Sequence, residues 1–509
     1  MSKFVGITIG PIFDTIMDAS TPAALWFASS LFSDITRRLC IEIKEQFQDV
    51  KIYSTYLDEN ITTDDGVGKF HDRIIFSTEQ YNNEKINNII KKVKNETCNN
   101  FPEDFSSSNT KEFFQQYLQI HYVVLEESEI GNENCILKLS PYLDALELMK
   151  TFPKDDSENV IRKLFAGEED SGNRYIKKSP LFKDVKDNKN QFIKDNKNIW
   201  KIDEIASVHN KITENLKRKN YYVVVQADGD GIGKFFQTLN NDMLIDFSKV
   251  ILSYDEEASK KIANYGGMTI YAGGDDLLFL APVMNEKGED IFHLCAEIRN
   301  LFQEHIRNTV SLNKSHYIPT VSFGIAIQYK KFPLYEALSR GRTLLGIAKS
   351  DKSKKDKMVI DILKHSGSNI SVIVPNNSSN VLEKILTFRT EVNENTVNSV
   401  LYTLEIFRSI ISIMDNKAKN KIMDKITYET AFMNLFDNIE QKPAEDYFKG
   451  ICRLYWDYFV DNDVQIIVSN HNNSTTNKHD DCKENLPLKA YLSLLQIKKF
   501  LVDKEGKED

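Results

Sequence analysis

The sequence predicts an α+β protein with two sheet-bearing regions followed by helices. Three observations carry this. Residues 220–363 read as strand, helix, hairpin, helix, strand, helix and strand, the order βαββαβαβ. The chain opens with a strand-like run and a long helical pattern. Residues 380–460 and 486–502 keep helical spacing and lack strand patterns.

Bulk composition bounds the function. With 509 residues, the chain is long enough for three or four domains at roughly 100–200 residues each. At 41% hydrophobic and 27% charged, it is an ordinary globular composition. A formal net charge of −9 rules out a global basic field that recruits nucleic acid. Six cysteines, at 40, 98, 135, 295, 452 and 482, show neither C-x-x-C nor zinc-ligand spacing. They read as reduced thiols of a cytoplasmic protein. No apolar run reaches the roughly 18–20 residues of a membrane span, and the N-terminus lacks a signal-peptide pattern.

Residues 3–9, "KFVGITI", are β-branched and closed by Gly10-Pro11, a strand and its stop. Thr21 is a candidate N-cap, with Pro22 at the first helical position. Leu25, Phe32, Ile35 and Leu39 then keep one apolar helical face. "KIYSTYL" and "DRIIFST" read as strands, and residues 80–150 as helical. Residues 150–219 are rich in lysine and asparagine and read as a helical connector. Next come the strand "YYVVVQA", a helical stretch to Tyr265, the hairpin "GMTIYAGGDDLLFLAPV", a helix over 289–306, the strand "TVSFGIAIQY", a helix over 333–350 and a last strand, "KMVIDIL". Helices on one face of this sheet are expected. A polar low-complexity stretch, 461–485, interrupts the C-terminal helices.

Two turns carry acids. One strand ends at Asp228-Gly229-Asp230 and runs through Gly231 and Gly233 into a helix; the hairpin holds Gly273, Gly274, Asp275 and Asp276. Asp and Gly dominate ordinary turns. Two such turns, each after a buried strand of one βαββ unit, instead predict carboxylates converging at one sheet edge. Clustered hard oxygens suit Mg²⁺ or Mn²⁺, which bridge a triphosphate and activate a hydroxyl for phosphoryl transfer. The glycines allow backbone amides to approach phosphate oxygens. The run "GDGIGKF" is not a P-loop, because Asp228 and Phe235 stand where glycine and Ser/Thr are required. No Glu closes an EF-hand loop.

These residues resemble the palm of nucleotidyl cyclases and of the related polymerase that forms the large subunit of type III CRISPR effector complexes, of a III-B-like kind. Ile9-Gly10-Pro11 followed by Leu25, Trp26, Ser29, Leu31 and Ser33 is similar to that family's opening pattern, and "FPLYEALSRGRTLLGIAKSDKSKKDKMVIDIL" to its closing helix, lysine loop and strand. The family has two palms of ferredoxin-like fold, and a weak internal repeat agrees: "FVGITIGPIFDTI" matches "YVVVQADGDGIGKFF" in type, and "GVGKFHDRIIFST" matches "GMTIYAGGDDLLFLAP". The resemblance implies a first, degenerate, acceptor-binding palm at 1–149, the connector at 150–219, a second palm with the GGDD site at 220–365, and a helical bundle at 366–509.

It also implies roles. Asp228, Asp275 and Asp276 are the expected metal ligands and catalytic residues. Gly229, Asp230, Gly231, Gly273, Gly274, Lys349 and Lys357 are the expected nucleotide-binding group. The substrate is ATP and the product a second messenger for antiviral defence, with other complex subunits, guide RNA and target RNA as partners. The alternatives are an inactive scaffold subunit and a free-standing GGDEF-type cyclase. Three departures matter. The chain starts in the palm, and His71-Asp72 and His479-Asp480 are lone pairs, so no HD nuclease activity is expected. The connector has no cysteine, so no zinc is expected. Where the family has P-N-R-F, this chain has His71, Asp72, Arg73 and Ile74. A carboxylate there repels a triphosphate. With Gly10, Arg73 and Glu147, Asp72 forms a candidate acceptor pocket for S-adenosylmethionine, the other acceptor being a second ATP.

Overall fold

The computed structural model describes residues 2–57, 67–99, 108–131, 133–149, 159, 161, 201–207, 220–310, 317–351, 355–376, 379–388, 394–436, 444–460 and 486–502. Most of the expected connector, the 461–485 stretch and His479-Asp480 lie outside these residues.

The first sheet contains β1 (Lys3–Gly10), β2 (Lys51–Ser54), β3 (Arg73–Thr78) and β4 (Gln119–Glu126), in the order β2-β3-β1-β4. All its pairs are antiparallel. The second contains β5 (Tyr221–Asp230), β6 (Met268–Gly273), β7 (Asp276–Pro282), β8 (Thr320–Tyr329), β9 (Lys357–Leu363) and β10 (Asn369–Pro375), in the order β10-β9-β8-β5-β7-β6. Its β8-β5-β7-β6 portion reproduces the first sheet strand for strand, the ferredoxin-like order in duplicate. The internal repeat in the sequence is therefore a repeat of topology.

The local reasons are simple. Thr21 accepts the Ala24 amide at 3.2 Å and Pro22 opens the helix Pro22–Gln46. Leu25, Ile35 and Leu39 on that helix are fully buried. The helical stretch after β5 is broken: Ile232–Phe236 ends, and Asn240 caps the helix Asn241–Tyr265 through the Met243 amide.

Two strands were not expected. β4 lies inside the stretch that reads as helical, directly after the helix Ser108–Tyr117, where one periodicity gives way to another within two residues. β10 follows β9 through a tight turn with Gly367 at φ +83°. Ile370, Val372 and Val374 alternate inward along it, so β9 is not the last strand. The second sheet also buries both faces, not one. Val223, Val225 and Phe279 join the core beneath the helices Asn241–Tyr265 and Ile291–Val310, while Tyr222, Val224 and Leu280 join the core beneath Leu334–Lys349. A run such as "YYVVV" has no polar face to leave in water.

The two sheets are clasped reciprocally. Helix Pro22–Gln46, which follows β1, packs on β6; helix Asn241–Tyr265, which follows β5, packs on β2. Gly68 bridges Tyr271 in parallel, with the Ala272 amide donating to the Gly68 carbonyl at 2.9 Å.

Candidate active site

β5 and β7 pair as far as Ala227 and Leu277, so the residues just beyond, Asp228 and the 274–276 turn, share one edge. The Gly229 amide donates to the Asp275 carbonyl at 3.1 Å. A Cβ on residue 229 would lie 2.7 Å from the Asp275 Cβ and 2.9 Å from Ile232, so only glycine lets strand and turn meet. Gly274 turns the hairpin at φ +79°, and its amide donates to Asp255 Oδ2 at 3.2 Å.

The electrostatics are those of crowded acids. Burial, and then the charge of Asp228, push the Asp275 carboxyl up to about 6 against the opposing pull of Lys349. Asp276 opens on the cleft but is ringed by protein; desolvation, then Asp275 and Asp228, push it well above the usual carboxylate range. Lys349, the last residue of Leu334–Lys349, pairs with Asp228 and donates to the Gly229 carbonyl at 2.9 Å. Three carboxylates against one ammonium leave an excess of negative charge that fits a small divalent cation. Among the described residues no group of three or more His, Cys, Asp or Glu side chains is placed to hold a metal ion. Mg²⁺ is usually held by one or two carboxylates with substrate phosphates completing its shell, so this open donor set fits it.

Some of the other expected nucleotide contacts are used inside the fold, while Gly273 and Gly274 line the cleft. Asp230 is 1% exposed; its Oδ2 accepts from Thr320 Oγ1 at 3.0 Å, Ser322 Oγ at 2.7 Å and the Asp356 amide at 2.9 Å. It fixes the strand end and does not face the cleft. The amides of Gly229 and Gly274 are likewise engaged by Asp275 and Asp255. Gly231 caps the short helix Ile232–Phe236, and Gly273 ends β6. Lys357 begins β9, its amide directed to Ser322 Oγ at 3.3 Å, whereas Lys349 is the lysine that meets Asp228.

A cleft of about 410 Å³ runs from this edge to the first sheet. Its far wall holds Ser54, His71, Asp72 and Arg73, and Ile232 and Phe236 add apolar surface. Ser54 Oγ and His71 Nε2 are 2.9 Å apart. Burial, then Arg73, hold His71 down to about 4, so its ring is neutral. Arg73 turns away from Asp72, donating to Asp144 at 2.6 Å and Glu147 at 2.8 Å. Burial first, and then the Glu147 charge, push Asp72 up to about 6. Of the four expected acceptor residues, Asp72 and Arg73 line the cleft. Glu147 stands behind them, held by Arg73 and Thr8, and Gly10 closes β1 outside the lining.

Asp255 was missed by sequence reasoning. It is 1% exposed on the helix Asn241–Tyr265, supports the GGDD turn through Gly274, and is pushed far upward by burial. The only signal was an acid on the apolar face of that helix.

Comparison with known proteins follows this geometry. Residues 221–359 match the Cas10/Cmr2 second palm domain. The CRISPR system Cmr subunit Cmr2 of Pyrococcus furiosus is 26% identical over 178 residues, 29% of this chain and 19% of that protein, so the match spans about a fifth of the relative's length. A Csm1–Csm4 cassette crystallised with cA4 superposes with a TM-score of 0.50 at 12% identity, over 99% of this chain and 70% of that one. The type III-B Cmr-beta complex bound to cognate target RNA gives 0.53 at 11% identity, over 98% and 83%. Residues 221–359 thus match a palm of the Cas10/Cmr2 type, and the described residues share the fold of these structures.

Proposed function

We propose that this chain is the nucleotidyltransferase subunit of a type III CRISPR ribonucleoprotein, switched on by target RNA and making an ATP-derived messenger. One observation carries the reading: the Gly229–Asp275 hydrogen bond joins the strand end that bears Asp228 to the turn whose Asp275 and Asp276 line a cleft, the other wall of which belongs to the duplicate sheet. The cA4-bound cassette and the RNA-bound Cmr-beta complex, which share the fold, support that direction. Other complex subunits, guide RNA and target RNA are the proposed partners. Sequence reading is left to RNA pairing, consistent with an acidic chain.

Asp228, Asp275 and Asp276 would hold Mg²⁺ or Mn²⁺, which when bound neutralises phosphate charge and activates a hydroxyl. Lys349, already beside Asp228, supplies positive charge to the departing pyrophosphate. The apolar side of the cleft excludes water around the donor nucleotide, and the two walls hold donor and acceptor in line. Asp72 faces that space while its neighbour Arg73 is committed to Asp144 and Glu147. An unmatched carboxylate favours a cationic acceptor, and S-adenosylmethionine, giving an AMP conjugate, is the proposed one. A second ATP, leading to cyclic oligoadenylate, is the other.

The test is mass spectrometry of products from the reconstituted complex with target RNA, Mg²⁺, ATP and S-adenosylmethionine, alongside an Asp275→Ala/Asp276→Ala control. A methionine-containing conjugate supports the cationic acceptor. Adenylate oligomers alone refute it while supporting the transferase. Absence of any product that depends on the two acids overturns the reading and leaves a scaffold subunit.

A further inference from the structure

Lys349 and Asp356, which flank β9's approach from the preceding helix, both contact the end of β5. Lys349 meets Asp228 and the Gly229 carbonyl. The Asp356 amide donates to Asp230 Oδ2 at 2.9 Å and approaches Ser322 Oγ at 3.1 Å. The last three residues of β5 are thereby held by these two residues. Asp356 makes this contact with φ at +67°, a conformation that Asp and Asn tolerate better than other side-chain-bearing residues.

Two groups from elsewhere hold Asp356 there. Arg299, on the helix Ile291–Val310, forks onto it, Nε to Oδ1 at 2.6 Å and Nη2 to Oδ2 at 2.5 Å. Asn376, just past β10 and 2% exposed, donates its amide to the Asp356 carbonyl at 2.8 Å and its Nδ2 to Oδ1 at 2.8 Å. Asn376 Nδ2 also reaches the Val321 carbonyl on β8 at 3.0 Å. The chain then enters the C-terminal helices at Ser379–Thr387. An unbroken set of hydrogen bonds thus runs from Asp230 through Asp356 to the helix Ile291–Val310 and to the junction with the helical tail.

We infer that Asp356, clamped by Arg299 and Asn376, is a positioning residue that sets the catalytic edge by holding Asp230 and the end of β5 in register with the Asp275 turn. It touches no substrate; it acts through Asp230 on Asp228 and Gly229. The inference rests on the reading of that edge as the transferase centre.

The experiment uses the full chain in the complex purified with it, carrying Asp356→Ala, Asp356→Asn or Arg299→Lys, and measures steady-state kinetics and backbone hydrogen exchange. Asp356→Ala lowers kcat about tenfold or more while KM for ATP stays within about twofold. Asp356→Asn, which keeps the backbone preference and one acceptor for Arg299, recovers most of the loss. Arg299→Lys keeps the charge but loses the fork, and exchange over residues 226–231 quickens while that of 221–225 does not change. Folded Asp356→Ala protein with kcat within about twofold of the unaltered chain overturns the inference. So does unchanged exchange at 226–231 in Arg299→Lys. An inactive parent complex, or an active Asp228→Ala variant, overturns the transferase reading instead; exchange then decides the positioning claim by itself.

Discussion

The two sheets share a strand order but end their equivalent central strands differently. β1 stops at Gly10-Pro11, and a Cβ on Gly10 would meet nothing within 4 Å. β5 stops at Asp228-Gly229-Asp230, where a Cβ on Gly229 would strike Asp275 and Ile232. Both ends are well folded, so the architecture does not require the acids. Crowded, desolvated carboxylates cost free energy. The Asp-Gly-Asp strand end and the Asp275-Asp276 pair stand in one copy only; the first copy has Asp72 alone in the matching hairpin. The first copy keeps the frame and lends a wall: His71 neutral, Asp72 ionisable and Arg73 engaged elsewhere.

The sharpest test of that division is catalytic. Asp275→Ala should reduce product formation by about a thousandfold, whereas Asp72→Ala should change acceptor use with the ATP dependence preserved; steady-state product assays with each substrate varied separate the two. Comparable losses of the ATP dependence in both variants would break the contrast. Next comes the glycine pair. Gly229→Ala should cost about 1–3 kcal/mol by overpacking, and Gly10→Ala within about 0.5 kcal/mol of nothing, read from denaturant midpoints.

A smaller effect is set by pH. The folded Asp72 carboxyl is raised to about 6, so its ionised form opposes folding, and stability falls as pH rises from the ordinary carboxylate range through 6. Asp72→Asn should therefore be more stable than the parent by about 1–2 kcal/mol at pH 8, with the gap closing below 6 and gone near 4. Thermal melts across that range decide it, and a gap that widens on acidification would show the sign to be wrong. The smallest effect is Arg73→Ala. Its partners are partly exposed, so it should cost about 1 kcal/mol or less, measurable by melting at low and high salt.

Much of this was legible because strong local patterns agreed with the fold. "YYVVV", "TVSFGIAI" and the GGDD hairpin each specify their element without help from distant residues. β4 and β10 were not: β4 starts two residues after a helix and β10 six residues after β9, and each pairs along its length with β1 or β9. At the site, the meeting of the two acidic turns could be read from the sequence; the roles of Asp228, Asp275 and Asp276 are proposed. Asp230 reads like Asp228 because neighbouring acids look alike in sequence whether they face a cleft or, as Asp230 does, Ser322 and Thr320. Asp356 was hidden among lysines, and its meaning comes from Arg299, 57 positions away.

The reciprocal clasp, each sheet's first helix lying on the other sheet's edge strand, has a bearing on how the cleft behaves in solution. Two separate copies forming such a cleft would lose it on dilution below their dissociation constant. Here both walls are tethered in one polypeptide, so each sees the other at an effective concentration set by the linking chain rather than by the number of molecules in the cell. Assembly of the cleft is then independent of abundance, and the two walls are free to diverge, one keeping its acids and the other its neutral imidazole, which a symmetric pair of identical copies could never do.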